Sequence, residues 1–111
     1  METVQVAIGD ASYGAALREL LAQDRSWEVV CVDRPDPARG GVMVLDMEHL
    51  DLLPRPVPAP ERVVLVARND PAELGRAWEA GVSSVLTDKD PLSMAVLAVL
   101  AARLRTSQGA R

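Results

Sequence analysis

The sequence contains few of the residues that build special cores or special sites. It has no Phe, and its only aromatic residues are Tyr13, Trp27 and Trp78, so we expect a core packed from aliphatic side chains. The single cysteine, Cys31, excludes an internal disulfide, and its apolar neighbours predict a buried, reduced thiol. The single histidine, His49, lies among polar residues and is predicted to be solvated. The sequence shows no Ser-His-Asp set, metal-ligand cluster or phosphate-binding loop.

The chain also lacks a basic excess and a long hydrophobic run. Twelve basic residues against sixteen acidic ones give a net charge of −4, and the arginines are scattered among acids, so direct binding to DNA is not expected. The longest uncharged apolar run, residues 91–102, is too short to cross a bilayer. The first residues lack the basic region and apolar stretch of a signal peptide. We therefore expect a cytoplasmic protein without membrane contact.

Five short apolar runs predict the strands of one α/β domain, which suits a chain of 111 residues. The runs are rich in Val and lack polar alternation, a pattern typical of parallel strands that are buried on both faces. The predicted strands are residues 4–8, 29–32, 42–45, 63–67 and 82–86.

Three helices are predicted around these strands. The first is indicated by leucines at helical spacing, and the other two by an Asp-Pro pair that supplies an N-cap and a proline at the first helical position. Gly81 ends the second of them, and Trp78 on that helix is expected to have a packing role. The predicted helices are residues 11–23, 70–80 and 90–105. The domain is thus expected to cover 1–105, with 106–111 as a polar tail or the start of a linker.

Two connections are unsuited to full helices. Only residues 34–41 separate the second and third strands, fewer than the dozen or so residues that a helical crossover needs. Four prolines within residues 54–60 leave room for at most one or two helical turns, in residues 48–53. The alternating elements still predict an open parallel sheet with helices on both faces.

The order of elements and three stretches of sequence resemble the receiver domain of bacterial response regulators, over about residues 4–105. Val-Met-Val-Leu-Asp46 is similar to the strand that bears the phospho-accepting aspartate. Asn69-Asp-Pro-Ala-Glu-Leu-Gly-Arg-Ala-Trp-Glu-Ala-Gly81 is similar to the fourth helix of receivers linked to helix-turn-helix output domains, and Leu-Thr-Asp-Lys-Asp-Pro91 resembles the end of the fifth strand. The resemblance implies a flavodoxin-like, five-stranded parallel sheet in the order 2-1-3-4-5, here with the second helix absent and the third shortened.

The resemblance also implies a set of site residues, and this chain departs from that set. A working receiver has two acids that hold magnesium, an acceptor aspartate, a hydroxyl and a lysine, which together neutralise an acyl phosphate. The acceptor corresponds to Asp46, but one of the two acids is replaced by glycine, the hydroxyl by Val or Ala, and the lysine by Asp. The corresponding positions are Gly9 and Asp10 for the acid pair, Val66 and Ala67 for the hydroxyl, and Asp88 for the lysine, with Lys89 one place further on.

These departures predict a receiver that does not depend on phosphorylation, has no enzymatic activity and needs no cofactor, although weak Mg²⁺ binding is compatible with the remaining acids. Asp88 stands where a receiver has the lysine that pairs with the phosphate, so an attractive contact becomes a repulsive one. A close charge pair of this kind is worth roughly 4 kcal/mol at an effective dielectric near 20. Asp10 is then expected to cap the first helix, Asp46 to mark a vestigial acceptor position, and Lys89 to form an ion pair with Asp10, Asp46 or Asp88.

The last predicted helix is apolar almost all round, which indicates burial on more than one side. We expect its interface with a second copy to include Leu92, Val96, Val99 and Leu100. The shortened connections also predict a sheet face with too little cover. The predicted function is a dimerisation or regulatory module of a transcriptional regulator, which would reach DNA only through a separate output domain.

Two alternatives remain open at this point. One is a small-ligand sensor whose crevice at the carboxyl ends of the strands would be lined by Gly9, Asp10, Asp46, Val66 and Asp88. The other is a receiver that is still phosphorylated on Asp46.

Overall fold

A computed structural model describes residues 2–82 and 84–109, and it shows a single five-stranded sheet flanked by helices. All four strand pairings are parallel, and the strand order is 2-1-3-4-5, as predicted. The strands are β1 (Glu2–Ala7), β2 (Trp27–Cys31), β3 (Val42–Leu45), β4 (Val63–Ala67) and β5 (Ser84–Thr87). The helices are α1 (Ala11–Ala22), α2 (Met47–Leu50), α3 (Pro71–Glu79) and α4 (Leu92–Gly109), and Pro60–Arg62 form a 3-10 turn.

Each face of the sheet has its own apolar core. On one face, Val4 and Val64 pack with Leu17 and Leu21 of α1 and with Val99 of α4. On the other face, Leu50 of α2 and Ala77 of α3 pack against the sheet. Their partners on the strands include Met43, Leu45 and Leu65. β3 and β4 contribute to both cores, because successive side chains of a strand point to opposite faces, and this explains their continuous apolar sequence.

The connection between β2 and β3 contains no helix, as predicted, yet the sheet face beneath it is not bare. Met43 and Gln5 on that face are almost completely buried, and so is Pro35 of the loop. The Gln5 amide donates to the Asp36 carbonyl and accepts from the Asp36 N–H, at 2.9 Å in both cases. The expectation of an uncovered face was therefore wrong here, because a loop held by side chains covers it.

Arg62, which immediately precedes β4, holds the same loop. Its guanidinium donates to the carbonyl oxygens of Gly41 at 2.5 Å and Pro37 at 3.0 Å, and also to that of Arg39. These carbonyls have no helix to satisfy them, so one forked side chain supplies the donors that a helix would otherwise provide.

Helix ends follow the predicted signals at most positions. Asp10 caps α1 by accepting from the Tyr13 N–H at 3.1 Å, and Asp70 caps α3 by accepting from the Ala72 N–H at 3.0 Å. Gly81 follows α3 with a φ of +82°, in the left-handed region that favours glycine. Asp90 is an exception: its carboxylate accepts from the Thr87 N–H at 2.9 Å instead of capping α4.

Several predictions about individual side chains were wrong. Cys31 is exposed because it lies on the edge strand β2, and Trp78 is 81% exposed on α3. Val99 is completely buried in the core of the chain itself, so it is not available at a surface for a second copy. Leu92, Val96 and Leu100 are half-buried against that same core.

The last helix is also longer than expected. α4 continues past the predicted end at Arg105 to Gly109, within the segment predicted to be a tail, while residues 110 and 111 lie outside the described part. Over the described part of the chain, no helix combines the length and the hydropathy needed to cross a membrane.

Candidate functional site

A cleft of about 640 Å³ lies at the carboxyl ends of the central strands. Residues from the ends of β1, β3, β4 and β5 meet there because the strands are parallel, and ligands of open α/β sheets bind at this edge. Six of the predicted site residues line the cleft, namely Gly9, Asp10, Asp46, Val66, Ala67 and Asp88. Lys89 is exposed and does not line it.

The Asp46 side chain accepts three hydrogen bonds in the cleft. It is the N-cap of α2, and its Oδ1 accepts from the His49 N–H at 3.1 Å. His49 Nδ1 lies 2.5 Å from the same oxygen. Oδ2 accepts from the Gly9 N–H at 2.8 Å, across the gap between β1 and β3. Both carboxylate oxygens are therefore bound by donors of the chain itself.

These contacts also change the acidity of Asp46. Burial acts to raise its pKa, but the hydrogen bonds from the Gly9 N–H and from the ring and backbone of His49 outweigh burial, so the pKa lies below its ordinary value. The ionised carboxylate is thus stabilised by the fold. The expectation that His49 is solvated was wrong, because its ring is half-buried against Asp46.

Two arginines line the cleft beside its acids, and the sequence analysis did not single them out. Arg76 of α3 donates through Nη2 to both carboxylate oxygens of Asp51, at 2.7 and 2.6 Å, and Arg55 adds a contact to Asp51 at 3.1 Å. The Asp51 hydrogen bond and charge raise the pKa of Arg76. The side chain of Arg68, at the end of β4, forms no ion pair with any residue in the described ranges.

The lining of the cleft also contains a phenol and further carboxylates. Tyr13 of α1 lines the cleft, and burial, followed by the charges of Asp90 and Asp88, raises the pKa of its phenol. The backbone of Asp88 is fixed to the end of β4, because its N–H donates to the Ala67 carbonyl at 3.1 Å. Asp10, Glu48 and Glu73 add further carboxylates to the lining.

Solved structures with the same architecture are receiver domains. The non-phosphorylated HemR receiver domain from Leptospira biflexa has a TM-score of 0.72 and 13% sequence identity, over 92% of this chain and 94% of that one. The receiver domain of the Francisella response regulator 1452 has a TM-score of 0.68 and 11% identity, over 96% and 99%. A response regulator receiver protein from Burkholderia phymatum has a TM-score of 0.62 and 19% identity, over 92% and 94%.

This chain has the receiver-domain fold. No family model and no curated protein matches it in sequence, so the likeness lies in the arrangement of the chain. Asp46 follows the last residue of β3 and lines the cleft at the carboxyl ends of the strands, and its correspondence to the acceptor of receiver domains stays a prediction.

The residues present do not fit the magnesium ion that a receiver uses. Across residues 2–82 and 84–105, no three His, Cys, Asp or Glu side chains are placed to hold a metal ion. At one of the two acid positions stands Gly9, whose N–H binds an Asp46 oxygen, and at the other Asp10 is engaged as the cap of α1. Mg²⁺ requires near-octahedral oxygen ligands, and these contacts, with the His49 N–H on Asp46, engage both Asp46 oxygens and one Asp10 oxygen.

The two remaining receiver parts are missing from the cleft as well. Val66 and Ala67, at the end of β4, carry no hydroxyl. The turn after β5, closed by Asp90 on the Thr87 N–H, presents Asp88 to the cleft and leaves Lys89 in solvent. Lys89 forms no ion pair in the described part of the chain, so its predicted pairing with Asp10, Asp46 or Asp88 was wrong.

Proposed function

We propose that this chain is a signalling module of the response-regulator type that works without phosphorylation of its acceptor position. The observation that carries the proposal is the state of Asp46, whose two oxygens accept three donors from Gly9 and His49. A carboxylate used in this way caps α2 and joins β1 to β3. Its attack on a phosphoryl group would require breaking those contacts, and among the described residues that line the cleft there is no lysine and no Ser or Thr hydroxyl to stabilise the product.

The wider proposal is that the module dimerises and regulates a transcriptional response regulator in the cytoplasm. The net charge of −4 argues against contact with DNA by this domain, so DNA would be reached only through a separate output domain. The solvent side of α4, which carries Met94, Leu97 and Leu104, supports dimerisation because monomeric proteins rarely expose contiguous apolar patches.

Incubation with acetyl phosphate and Mg²⁺, followed by intact-mass measurement, tests the proposal. Phosphorylation adds about 80 Da, and we expect no such adduct on this chain, whereas a receiver with the full set of acids, hydroxyl and lysine should be modified under the same conditions. Asp46→Asn is the matched control. An adduct that forms on the unmodified chain and is lost in Asp46→Asn would overturn the proposal.

A second candidate function is the sensing of a small ligand in the cleft. The cleft volume of about 640 Å³, and the lack of an ion partner for Arg68 among the described residues, favour a small molecule whose anionic group binds Arg68 and whose remaining part faces the carboxylates of the lining. A thermal-shift screen against small organic anions, repeated with Arg68→Ala, tests this. A stabilising compound whose effect disappears in Arg68→Ala would support it, and a ligand that still stabilises the variant would argue for a different mode of binding.

A further inference from the structure

The solvent side of α4 is apolar at four regularly spaced positions, which we call the outer face of α4: Met94, Leu97, Ala101 and Leu104. The side chains of Met94, Leu97 and Leu104 are 44%, 59% and 65% exposed, and Ala101 is also exposed. The inner side of the same helix, with Ala95, Val99 and Ala102, is completely buried in the core. The exposed apolar residues are therefore additional to those that are buried in the core of the domain.

The spacing of the outer face is that of a helix-pairing seam. Its residues follow one another at intervals of three, four and three, which is the alternation of a and d positions in a heptad. A helix that packs only on its own sheet needs one apolar stripe, and α4 has a second one on the opposite side. The pattern fits another helix better than a strand or an extended peptide.

We propose that the outer face of α4 pairs with the same face of a second copy of this chain, the two helices running antiparallel. The proposal rests on the dimerisation included in the proposed function and names its surface and geometry. A two-fold axis that crosses the outer face at the height of residue 99 would place Met94 opposite Leu104 of the second copy. The same axis would place Leu97 opposite Ala101 of the second copy.

The sizes of the side chains favour the antiparallel arrangement over the parallel one. Antiparallel pairing makes layers of Met with Leu and of Leu with Ala, so each small Ala101 meets a large Leu97. Parallel pairing would stack Ala101 on Ala101 between two leucine layers and leave a gap in the seam. The antiparallel layers have more nearly equal volume, which close packing requires.

Charge favours the same arrangement. α4 has no acidic residue from Leu92 to Gly109, while Arg105 lies near its carboxyl-terminal end and Asp88 and Asp90 precede its first turn. Parallel pairing would bring the two Arg105 guanidinium groups to the same end. Antiparallel pairing would bring each Arg105 towards the acidic turn of the other copy, where opposite charges attract.

The oligomeric mass of the chain and of two variants tests whether the outer face is the interface. We expect a dimer, and Leu97→Glu should weaken it by about 100-fold or more, because an unpaired carboxylate would be buried between the helices. Trp78→Glu is the matched control, since Trp78 is more exposed than Leu97 but lies on α3. Its dimer should be unchanged. A dimer that survives Leu97→Glu and dissociates in Trp78→Glu would overturn the proposal.

Cysteine cross-linking tests the direction of the helices. Met94→Cys and Leu104→Cys, each made in a Cys31→Ser background, are oxidised separately and as a mixture. In the antiparallel pair, identical positions lie about 15 Å apart along the axis, and only the mixture should form a disulfide-linked dimer. Cross-linking of Leu104→Cys with itself would indicate a parallel pair and overturn the proposed geometry while leaving dimerisation intact.

The two failures are therefore distinguishable. A chain that is monomeric at tens of micromolar would overturn both this proposal and the dimerisation in the proposed function. A dimer without either cross-link would overturn the α4 pairing alone. Circular dichroism of each variant checks that the domain remains folded, which is expected because the substituted side chains are exposed.

Discussion

The cleft and the outer face of α4 differ in whether their side chains find partners within the same chain. In the cleft, Asp46 is bound by Gly9 and His49, and Asp51 is bound by Arg76. On the outer face of α4, three large apolar side chains face solvent. The comparison teaches that Asp46 and Asp51 in the cleft already have partners within the chain, while Met94, Leu97 and Leu104 of α4 do not bury their apolar surface in the fold.

The largest expected effect separates the two sides of α4. Val99→Glu should cost about 4 kcal/mol of stability or prevent folding, because the carboxylate would be buried without a partner. Leu97→Glu should change the stability of the folded monomer by less than about 1 kcal/mol. Urea unfolding at low protein concentration measures both, because dimerisation adds stability at high concentration. Equal losses would show that the outer face belongs to the core.

The next effect tests whether Asp46 is structural. Asp46→Ala should destabilise the chain by about 1–3 kcal/mol, because it removes the cap of α2 and leaves the Gly9 and His49 donors without their acceptor. Asp88→Ala, in the same cleft, should stay within about 0.5 kcal/mol, because Asp88 is exposed and its backbone makes the contact. Chemical denaturation compares the two. An Asp46→Ala variant as stable as the unsubstituted chain would contradict a structural role.

A smaller effect is expected in the dependence of stability on pH. The pKa of Asp46 is lowered in the folded chain, so its contribution is present above the unfolded value of about 3.9 and is lost as the pH falls through the folded value. Asp46→Asn removes this titration, and its stability should therefore fall less steeply as the pH is lowered below about 4. Unfolding measured across that range, for both chains, provides the check. Parallel curves would mean that Asp46 is not held as an anion.

The smallest effect concerns Lys89. Its side chain lies in solvent outside the cleft, so Lys89→Ala should change the free energy of unfolding by no more than about 0.5 kcal/mol. Thermal unfolding is a sufficient measurement. A clear loss of stability would mean that Lys89 does pair with an acid of the cleft.

The parts of the fold that depend on short runs of sequence could be predicted. β3 and β4 have the predicted bounds because each is a continuous run of apolar residues that ends at a charged one. Asp10 and Asp70 cap their helices because a cap depends only on residues two or three places away. The missing second helix followed from a count of residues between two strands.

The parts that depend on distant contacts could not be predicted. His49 meets Asp46 only after α2 has formed, and Arg76 meets Asp51 from a helix that lies 25 residues further along the chain. The apolar pattern of α4 showed that the helix has two apolar sides, but not which of them faces the sheet, so Val99 was assigned to the wrong side. The positions of Trp78 and Cys31 depend in the same way on which neighbours the sheet supplies.

The loop between β2 and β3 has a consequence for the order in which this chain assembles and opens. A helix at that place would form bonds between close neighbours in sequence, whereas the Gln5 amide reaches Asp36 across 31 residues and Arg62 reaches the loop from the start of β4. Such a loop becomes ordered only when the sheet beneath it exists. It can therefore open locally while the strands stay paired, and amide hydrogen exchange would detect that opening as a low-energy fluctuation distinct from global unfolding.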